Sequence, residues 1–400
     1  MTAPVPAAGY LFIDADNHYY EPADAFTRCL DPSWRDRAVR REPDGSGGYR
    51  VLVGSRPFTF MTNGFPGEVE RINRPGSLRE MLRGNTGGAD FTHPIQPEYL
   101  HRDARLRVMD RQGIEKAWLF PSLGVCVEHF LGDDVPATYA NLHAFNRWLQ
   151  EDWGFAYRDR IYAAPLMSLV DLDHAVAELE WALAEGARVV HLRPGPAAGR
   201  SPADPVFDPF WARVEEAGVG VAFHISESGY NEMMSAHWGE DPNPSSKTMS
   251  AFQWTCFYGD RVISDTMAAL VLHNLFGRFP GLKVASVENG SLWVPYLLKA
   301  MDKNKGMGRN GPWPGGYVKG RPSEIFKEHV YISPYHEEDA VALTELIGVE
   351  RVLFGSDFPH PEGLAEPRSF ADQLEPLGPD AIRTVMRENA LRFMGVSTID

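Results

Sequence analysis

Short apolar runs alternate with segments of helical spacing along most of the chain. The runs begin near residues 11, 114, 161, 188, 219, 282, 330 and 351, and each predicts a buried strand. On most connections between them apolar positions recur every three or four residues, as in Asp171 to Glu185, which predicts amphipathic helices. Strand followed by helix, repeated eight times, predicts an α/β fold of the (β/α)8 TIM-barrel type.

Two long insertions interrupt this alternation, after strands 1 and 5. Residues from about 21 to about 105 are rich in Gly, Pro and Arg, and Tyr49 to Phe60 within them predicts a β-hairpin. Residues from about 225 to about 260 carry aromatic side chains among polar ones, which predicts a lid-like segment or wall; simple packing of these aromatics is the alternative. We expect one elaborated domain over residues 1–400, with both segments as insertions.

The composition narrows the possible functions. The 400 residues carry a formal net charge of −15 and no dense run of Lys and Arg, which argues against a nucleic-acid surface and favours a small-molecule substrate. No run of about eighteen apolar residues occurs, so neither a membrane span nor an export signal is predicted. The three cysteines form no CxxC pair and no disulfide framework, which is typical of a reducing cytoplasm.

The first strand ends in Asp14-Ala15-Asp16-Asn17-His18, where an apolar run gives way to two acids and a histidine. Because residues two apart share a face of a strand, Asp14, Asp16 and His18 are expected to project the same way. Carboxylate oxygen and imidazole nitrogen are ligands of Zn²⁺ and Mn²⁺, so the pattern indicates part of a metal site. The alternative is that an aspartate caps the next turn and His18 is a buried histidine with satisfied hydrogen bonds.

Ionisable side chains also follow other predicted strands. The active sites of α/β barrels lie at the carboxyl ends of the strands, so this rule selects residues without reference to any family. The selected residues are Asp16 and His18 on strand one, His191 and Arg193 on strand four, His224 on strand five, Glu288 on strand six and Asp357 on strand eight. Most are metal-type ligands, and barrel topology would bring them together although they lie far apart in sequence.

Several motifs make the sequence similar to a known family. They are Asp14 to His18, Met109 to Gly113, Phe223-His224, Phe279 to Val284, and Gly355-Ser356-Asp357-Phe358-Pro359-His360. In this order and placement they resemble the amidohydrolase superfamily, and within it the branch of aminocarboxymuconate-semialdehyde decarboxylases and related aromatic-acid decarboxylases. The resemblance spans most of the chain apart from the insertions.

The resemblance implies a site built around one divalent metal ion, with Zn²⁺ expected ahead of Mn²⁺. It makes Asp16, His18 and His224 metal ligands, and Asp357 the group that binds metal or moves a proton. The implied activity is that of a metal-dependent lyase that decarboxylates a small aromatic or unsaturated carboxylic acid without oxidation. Members of the family are commonly dimers, which implies a homodimer.

One position departs from the family pattern. Glu288 stands where the decarboxylases carry a histidine, and because glutamate can bind metal or exchange a proton we give it a catalytic role beside Asp357.

Three residues are candidates for substrate contact: Arg193, His191 and His360. Arg193 would bind a substrate carboxylate through the paired donors of its guanidinium. The alternatives are a surface ion pair for Arg193, an outward-facing ring for His191 and a loop-holding role for His360.

Two other functions fit the same residues. A hydrolase of an amide, lactone or ester bond would use the same metal but consume water instead of releasing CO₂. A barrel without catalysis, serving as a binding or structural subunit, is the third possibility, and the intact set of Asp16, His18, His224 and Asp357 argues against it. Labelled water separates the first two functions, and metal analysis before and after chelation tests the third.

Overall fold

The computed structural model describes residues 9–45, 48–61, 64–83, 90–132 and 134–396. Its strands are β1 Phe12–Tyr19, β2 Val39–Pro43, β3 Tyr49–Val53, β4 Arg56–Pro57, β5 Arg71–Asn73, β6 Thr92–Pro94, β7 Ile114–Pro121, β8 Ile161–Ala163, β9 Leu166–Met167, β10 Val189–Leu192, β11 Gly220–His224, β12 Val284–Val287 and β13 Val330–Ile332. Its α-helices are α1 Leu78–Leu82, α2 Arg102–Gln112, α3 Glu128–Leu131, α4 Val135–Asp152, α5 Leu172–Ala184, α6 Asp208–Ala217, α7 Tyr230–Met234, α8 Ala251–Phe257, α9 Asp260–Leu272, α10 Leu275–Arg278, α11 Val294–Met307, α12 Pro322–His329, α13 Ala340–Ile347, α14 Pro379–Arg383 and α15 Asn389–Met394. Within these ranges no helix has both the length and the hydropathy needed to cross a bilayer.

Two parallel sheets form the centre of the molecule. β7 lies between β1 and β8 in one sheet, and β13-β12-β11-β10-β9 is the order of the other. These strands are almost entirely buried, because helices cover one face and side chains from the other strands fill the opposite face. The predicted α/β fold, with parallel strands alternating with helices, is confirmed.

Two extended segments connect the edges of these sheets. Residues 161–167 pair with β7 through β8 and with β10 through β9. Residues 352–358 lie between β13 and β1, since the Leu353 amide donates to β13 and the Phe354 carbonyl accepts from β1. The strand predicted at 351–355 is therefore extended backbone with isolated bridges, because its hydrogen bonds go alternately to the two neighbours.

One predicted helix is interrupted in the structure. The apolar run 262–276 predicts a single helix, but α9 ends at Leu272 and α10 begins only at Leu275. Asn274 separates them with a φ of 57°, in the left-handed region that asparagine tolerates better than most residues. Gly113 and Gly218 end α2 and α6 in the same region, as their positions in the sequence predict.

Both insertions are folded. The first contains an antiparallel sheet of β2, β3 and β4 and a pair of strands, β5 and β6. The predicted hairpin is present as β3 and β4, with β2 as an additional partner. The second insertion is mainly helical, and α8 within it starts with a capping box in which Ser250 and Gln253 bond each other's backbone.

An aromatic cluster closes the amino-terminal end of the strands. Phe393 of α15 packs against Trp118 at 4.9 Å and Tyr331 at 5.2 Å between ring centroids, and all three side chains are buried. Burying each large apolar side chain stabilises the fold by about 1.5–3 kcal/mol. Gly220 approaches the same ring so closely that an added Cβ would lie 2.1 Å from a Phe393 ring carbon. The polar side chains lie at the opposite, carboxyl-terminal end of the strands.

Candidate metal centre

A distortion of β1 decides which of its polar side chains reach the centre. The register of β1 against β7 shifts between Asp14 and Asn17, which interrupts the two-residue alternation of side chains. The expectation that Asp14 faces the same way as Asp16 and His18 is therefore wrong for Asp14. Its carboxylate instead accepts hydrogen bonds from the Asn17 side chain and the Ser356 amide, each at 2.9 Å.

Arg105 of α2 holds the backbone beneath these ligands. Its guanidinium is fully buried and donates to the His18 carbonyl at 2.7 Å, to the Asn17 side-chain oxygen and to the Glu98 carbonyl at 2.9 Å. Burial lowers the pKa of Arg105 to about 10, which still leaves it charged at neutral pH. The end of β1 is thus fixed by a charged group that is not itself a ligand.

Four side chains bring their ligand atoms together at the carboxyl ends of the strands. They come from β1, β11 and the residue after β12, and they are Asp16, His18, His224 and Glu288. His18 Nε2 lies 3.3 Å from both Asp16 Oδ1 and Glu288 Oε2, and His224 Nε2 lies 3.0 Å from Glu288 Oε2. Donors that share one ion at about 2.1 Å are about 3.0–3.4 Å apart in octahedral or tetrahedral geometry. The spacing therefore fits one divalent ion.

Hydrogen bonding leaves the inner faces of these ligands free. His224 Nδ1 donates to the Ile225 carbonyl at 2.9 Å, which directs Nε2 at the group. Asp16 Oδ1 and Glu288 Oε2 are buried and have no hydrogen-bond partner in the described part of the chain. Burial alone would lower the pKa of His224, but the charges of Glu288 and Asp16 raise it to about 10. The carboxylates thus create a field that stabilises positive charge.

Asp357 lies beside this group and shares a short hydrogen bond with His360. Its Oδ1 is 3.3 Å from His18 Nε2 and 2.7 Å from His360 Nδ1. On the other side of the ring, His360 Nε2 is 2.7 Å from the Ser122 hydroxyl, which donates its own hydrogen to a β1 carbonyl. The hydroxyl then accepts from Nε2, so Nδ1 faces the Asp357 carboxyl, which can share a proton with it. Burial and the charge of Glu288 raise the pKa of Asp357 well above its usual value, consistent with that proton.

Two predicted substrate contacts lie apart from the centre. Arg193 donates to two backbone carbonyls, and its Nε lies 3.6 Å from the Glu128 carboxylate. His191 is buried behind His224, with 6.3 Å between ring centroids. A cavity opens above the ligand atoms, and among the residues that the structure describes His360 lines it but Arg193 and His191 do not. Substrate contact by Arg193 or His191 therefore stays a prediction.

A cavity of about 870 Å³ opens above the four ligand atoms. The strand ends form its floor, and both insertions form its walls: Phe60 and Ile72 come from the first, and Trp254 and Tyr258 from the second. The prediction that the second insertion is a wall is confirmed for these two side chains. Trp238 of the same insertion does not line the cavity.

Sequence reasoning missed two residues that support the centre. Arg105 occupies the buried face of α2, four residues before Met109 and seven before Gln112. A guanidinium on the apolar face of a helix is unusual, and this was the available signal. Ser122 directly follows Pro121 at the end of β7, so the rule that selects strand ends could also have selected it.

Comparison with known proteins places these features in context. A model of the amidohydrolase family matches residues 78–396. The crystal structure of an amidohydrolase from Mycobacterium avium subsp. paratuberculosis K-10 is 42% identical to this chain, with a TM-score of 0.86, and the match covers 96% of this chain and 99% of that one.

More distant similarities are to decarboxylases. A curated 2-amino-3-carboxymuconate-6-semialdehyde decarboxylase from Dictyostelium discoideum is 23% identical over 199 residues, 50% of this chain and 51% of that protein, so the match spans about half the relative's length. A dihydroxybenzoic acid decarboxylase from Polaromonas sp. JS666, with bound manganese and the inhibitor 2-nitroresorcinol, is 16% identical with a TM-score of 0.60, covering 96% of this chain and 97% of that one. At this identity the similarity is one of fold.

Proposed function

The chain belongs to the amidohydrolase family, and we propose that it is a metal-dependent carboxy-lyase that removes CO₂ from a small aromatic or unsaturated carboxylic acid. The observation that carries the proposal is the group of four ligand atoms at the cavity floor, with a proton-sharing carboxyl and imidazole beside it. The decarboxylases among the relatives support the type of reaction.

We assign Asp16, His18, His224 and Glu288 to hold one divalent ion. Imidazole and carboxylate donors suit both Zn²⁺, which the sequence resemblance favours, and Mn²⁺, which the Polaromonas enzyme binds. The family resemblance gives Asp357 either a ligand role or a proton-transfer role. Asp357 also belongs to a second possible ligand group with His18, Glu288 and His360, and we give it the proton-transfer role because its carboxyl is hydrogen-bonded to His360. When bound, the ion supplies positive charge that orients a substrate oxygen and stabilises negative charge as CO₂ leaves.

Asp357 then provides the proton that replaces the lost carboxylate. The bond between the substrate carbon and its carboxylate breaks, the electron pair stays on that carbon, and a C–H bond forms with the proton from Asp357. His360 positions this carboxyl through the 2.7 Å hydrogen bond, and Ser122 fixes the ring of His360 in turn. Apolar side chains on the cavity walls, such as Ile72 and Ile225, exclude water from the carbon.

The direct test is turnover in heavy water. Protein loaded with Zn²⁺ or with Mn²⁺ is incubated with a panel of hydroxybenzoates and unsaturated carboxylic acids, and released CO₂ is measured. We expect CO₂ and a product with one deuterium at the carbon that held the carboxylate. Chelated protein and the Asp357→Asn variant serve as inactive controls. If the metal-loaded protein releases CO₂ from none of the acids in the panel, the proposal is contradicted.

Hydrolysis of an amide, lactone or ester is the second candidate, and Glu288 is the observation that favours it. A carboxylate beside the other ligands can accept a proton from an attacking water as readily as it can bind metal. Reaction in H₂¹⁸O separates the two: a hydrolase places one ¹⁸O in the product acid, whereas a carboxy-lyase places none in the decarboxylated product.

From the family resemblance we also propose a homodimer, and from the pattern of the three cysteines a cytoplasmic location. The chain has a mass of 44.7 kDa, so light scattering on the purified protein should give a mass twice that value. A mass equal to that of one chain at micromolar concentration contradicts the dimer.

A further inference from the structure

We propose that the substrate carries, beyond its reacting acid group, a second uncharged ring or an apolar group of similar size. The inference rests on the proposed function, because it assumes that the acid group binds at the four ligand atoms. It goes beyond that function by specifying the remote part of the molecule. Three properties of the cavity carry it, namely its volume, its aromatic wall and the charges that line it.

The volume exceeds what a single-ring acid needs. Cavities of about 300–1,000 Å³ bury most of the surface of drug-sized ligands, and this cavity, at about 870 Å³, lies in the upper part of that range. An acid with one ring would occupy only the floor near Asp16 and His224. The space above it would then hold water against apolar walls, which is unfavourable compared with an apolar substituent.

One wall of the cavity is an aromatic surface shared by both insertions. The Phe60 ring lies 5.4 Å from the Tyr258 ring, and Tyr258 lies 5.1 Å from Trp254 in an edge-to-face arrangement. Phe60 and Tyr258 are buried, whereas Trp254 is 45% exposed although it lines the cavity. The partly exposed indole of Trp254, held by the buried Tyr258 ring, offers an apolar face against which a further ring can pack.

The charges that line the cavity disfavour a second anionic group. Arg71 is the only Lys or Arg among the described lining residues, and its guanidinium is already held by Asp90 and by the Thr92 hydroxyl and carbonyl. The lining acids include Glu337 and Glu362, which lie outside the ligand group. A remote carboxylate or phosphate would meet one guanidinium whose charge Asp90 already balances, together with the negative charge of Glu362, so the remote group is uncharged.

The test measures binding rather than turnover. Three probes share a metal-binding hydroxamate: benzohydroxamic acid, its 4-phenyl derivative, and that derivative with a carboxylate on the outer ring. Dissociation constants are measured by titration calorimetry on metal-loaded wild-type protein and on chelated protein. We expect the two-ring probe to bind at least about tenfold more tightly than the one-ring probe, and the added carboxylate to remove at least that gain.

Two tryptophan variants locate the gain. Trp254→Ala should abolish most of the difference between the two-ring and one-ring probes and leave the one-ring probe unchanged. Trp238→Ala is the matched control, because Trp238 is 64% exposed on the same insertion but does not line the cavity, and it should behave like wild type.

The outcomes separate this inference from the proposed function. Equal affinity for the one-ring and two-ring probes, a gain that survives Trp254→Ala, or full affinity for the carboxylated probe overturns the inference alone. If the protein binds the two-ring probe more tightly but releases CO₂ from no acid, the proposed lyase activity is contradicted. The inference about the second ring is then still supported. Absence of metal-dependent binding of any probe to folded protein overturns both.

Discussion

Replacing Glu288 by glutamine tests which carboxylate completes the ligand group. The Glu288 side chain is 15% exposed, and its Oε2 lies 3.0 Å from His224 Nε2 and 3.3 Å from His18 Nε2. Two unit charges about 4 Å apart interact by about 4 kcal/mol at an effective dielectric constant of about 20, which corresponds to about three orders of magnitude in a dissociation constant. The lost desolvation cost of the carboxylate offsets part of this, so we expect metal binding at least about 100-fold weaker.

The assay is competition for Zn²⁺ and for Mn²⁺ between the apoprotein and a fluorescent chelator. Asp357→Asn is the informative comparison: it should change metal affinity by less than about tenfold but abolish turnover, because Asp357 lies beside the ligand group and supplies the proton. Glu362→Gln is the charge control. It removes one exposed negative charge from the cavity rim without touching the ligands, and its metal affinity should stay within about threefold of wild type.

The reverse pattern would refute the assignment. If Glu288→Gln binds metal as tightly as wild type while Asp357→Asn loses 100-fold or more, then Asp357 is the fourth ligand and Glu288 is the proton-transferring group. Circular dichroism and thermal melting of each metal-free variant show whether a loss of affinity reflects a loss of the fold.

Three further predictions follow from particular contacts. Arg105→Met should lower the free energy of unfolding in urea by about 4 kcal/mol, because two buried acceptors and one partly buried acceptor lose their donor at about 1–3 kcal/mol each; a change below 1 kcal/mol contradicts this. His360→Gln should lower kcat about 100-fold, with KM and metal content nearly unchanged, because it removes the imidazole that positions the proton-donating carboxyl; a 100-fold loss of metal affinity would instead indicate that His360 is a ligand. Gly220→Ala should destabilise the protein by about 1–3 kcal/mol through its clash with Phe393. Its control, Gly306→Ala in the exposed part of α11, meets no atom within 4 Å and should be neutral or stabilising.

The order of strands and the identity of most ligands could be predicted from the sequence. The apolar runs located the parallel strands to within a few residues, because strands buried on both faces leave a nearly continuous apolar signal. The rule that active sites lie at the carboxyl ends of barrel strands selected His18, His224 and Glu288, which lie 64 to 270 residues apart in the sequence, and the structure brings these side chains together.

What could not be predicted depends on local distortions and on which way a side chain turns. Asp14 points away from the centre because β1 carries an irregular register, which periodicity cannot reveal. Arg193 follows a strand end but turns toward Glu128, a partner distant in sequence. The eighth strand is bonded alternately to two neighbours, so its apolar signal is that of a strand although its hydrogen bonds are not those of a regular ladder.

The proposed activity requires one ion bound between side chains from β1, β11 and the residue after β12. Anomalous X-ray diffraction from crystals grown with Zn²⁺ or Mn²⁺, recorded on both sides of the metal absorption edge, tests this most directly. We predict a single strong peak about 2.0–2.3 Å from Asp16, His18, His224 and Glu288. Diffraction from metal-loaded crystals with no peak at that position, or with a peak only elsewhere, would contradict it.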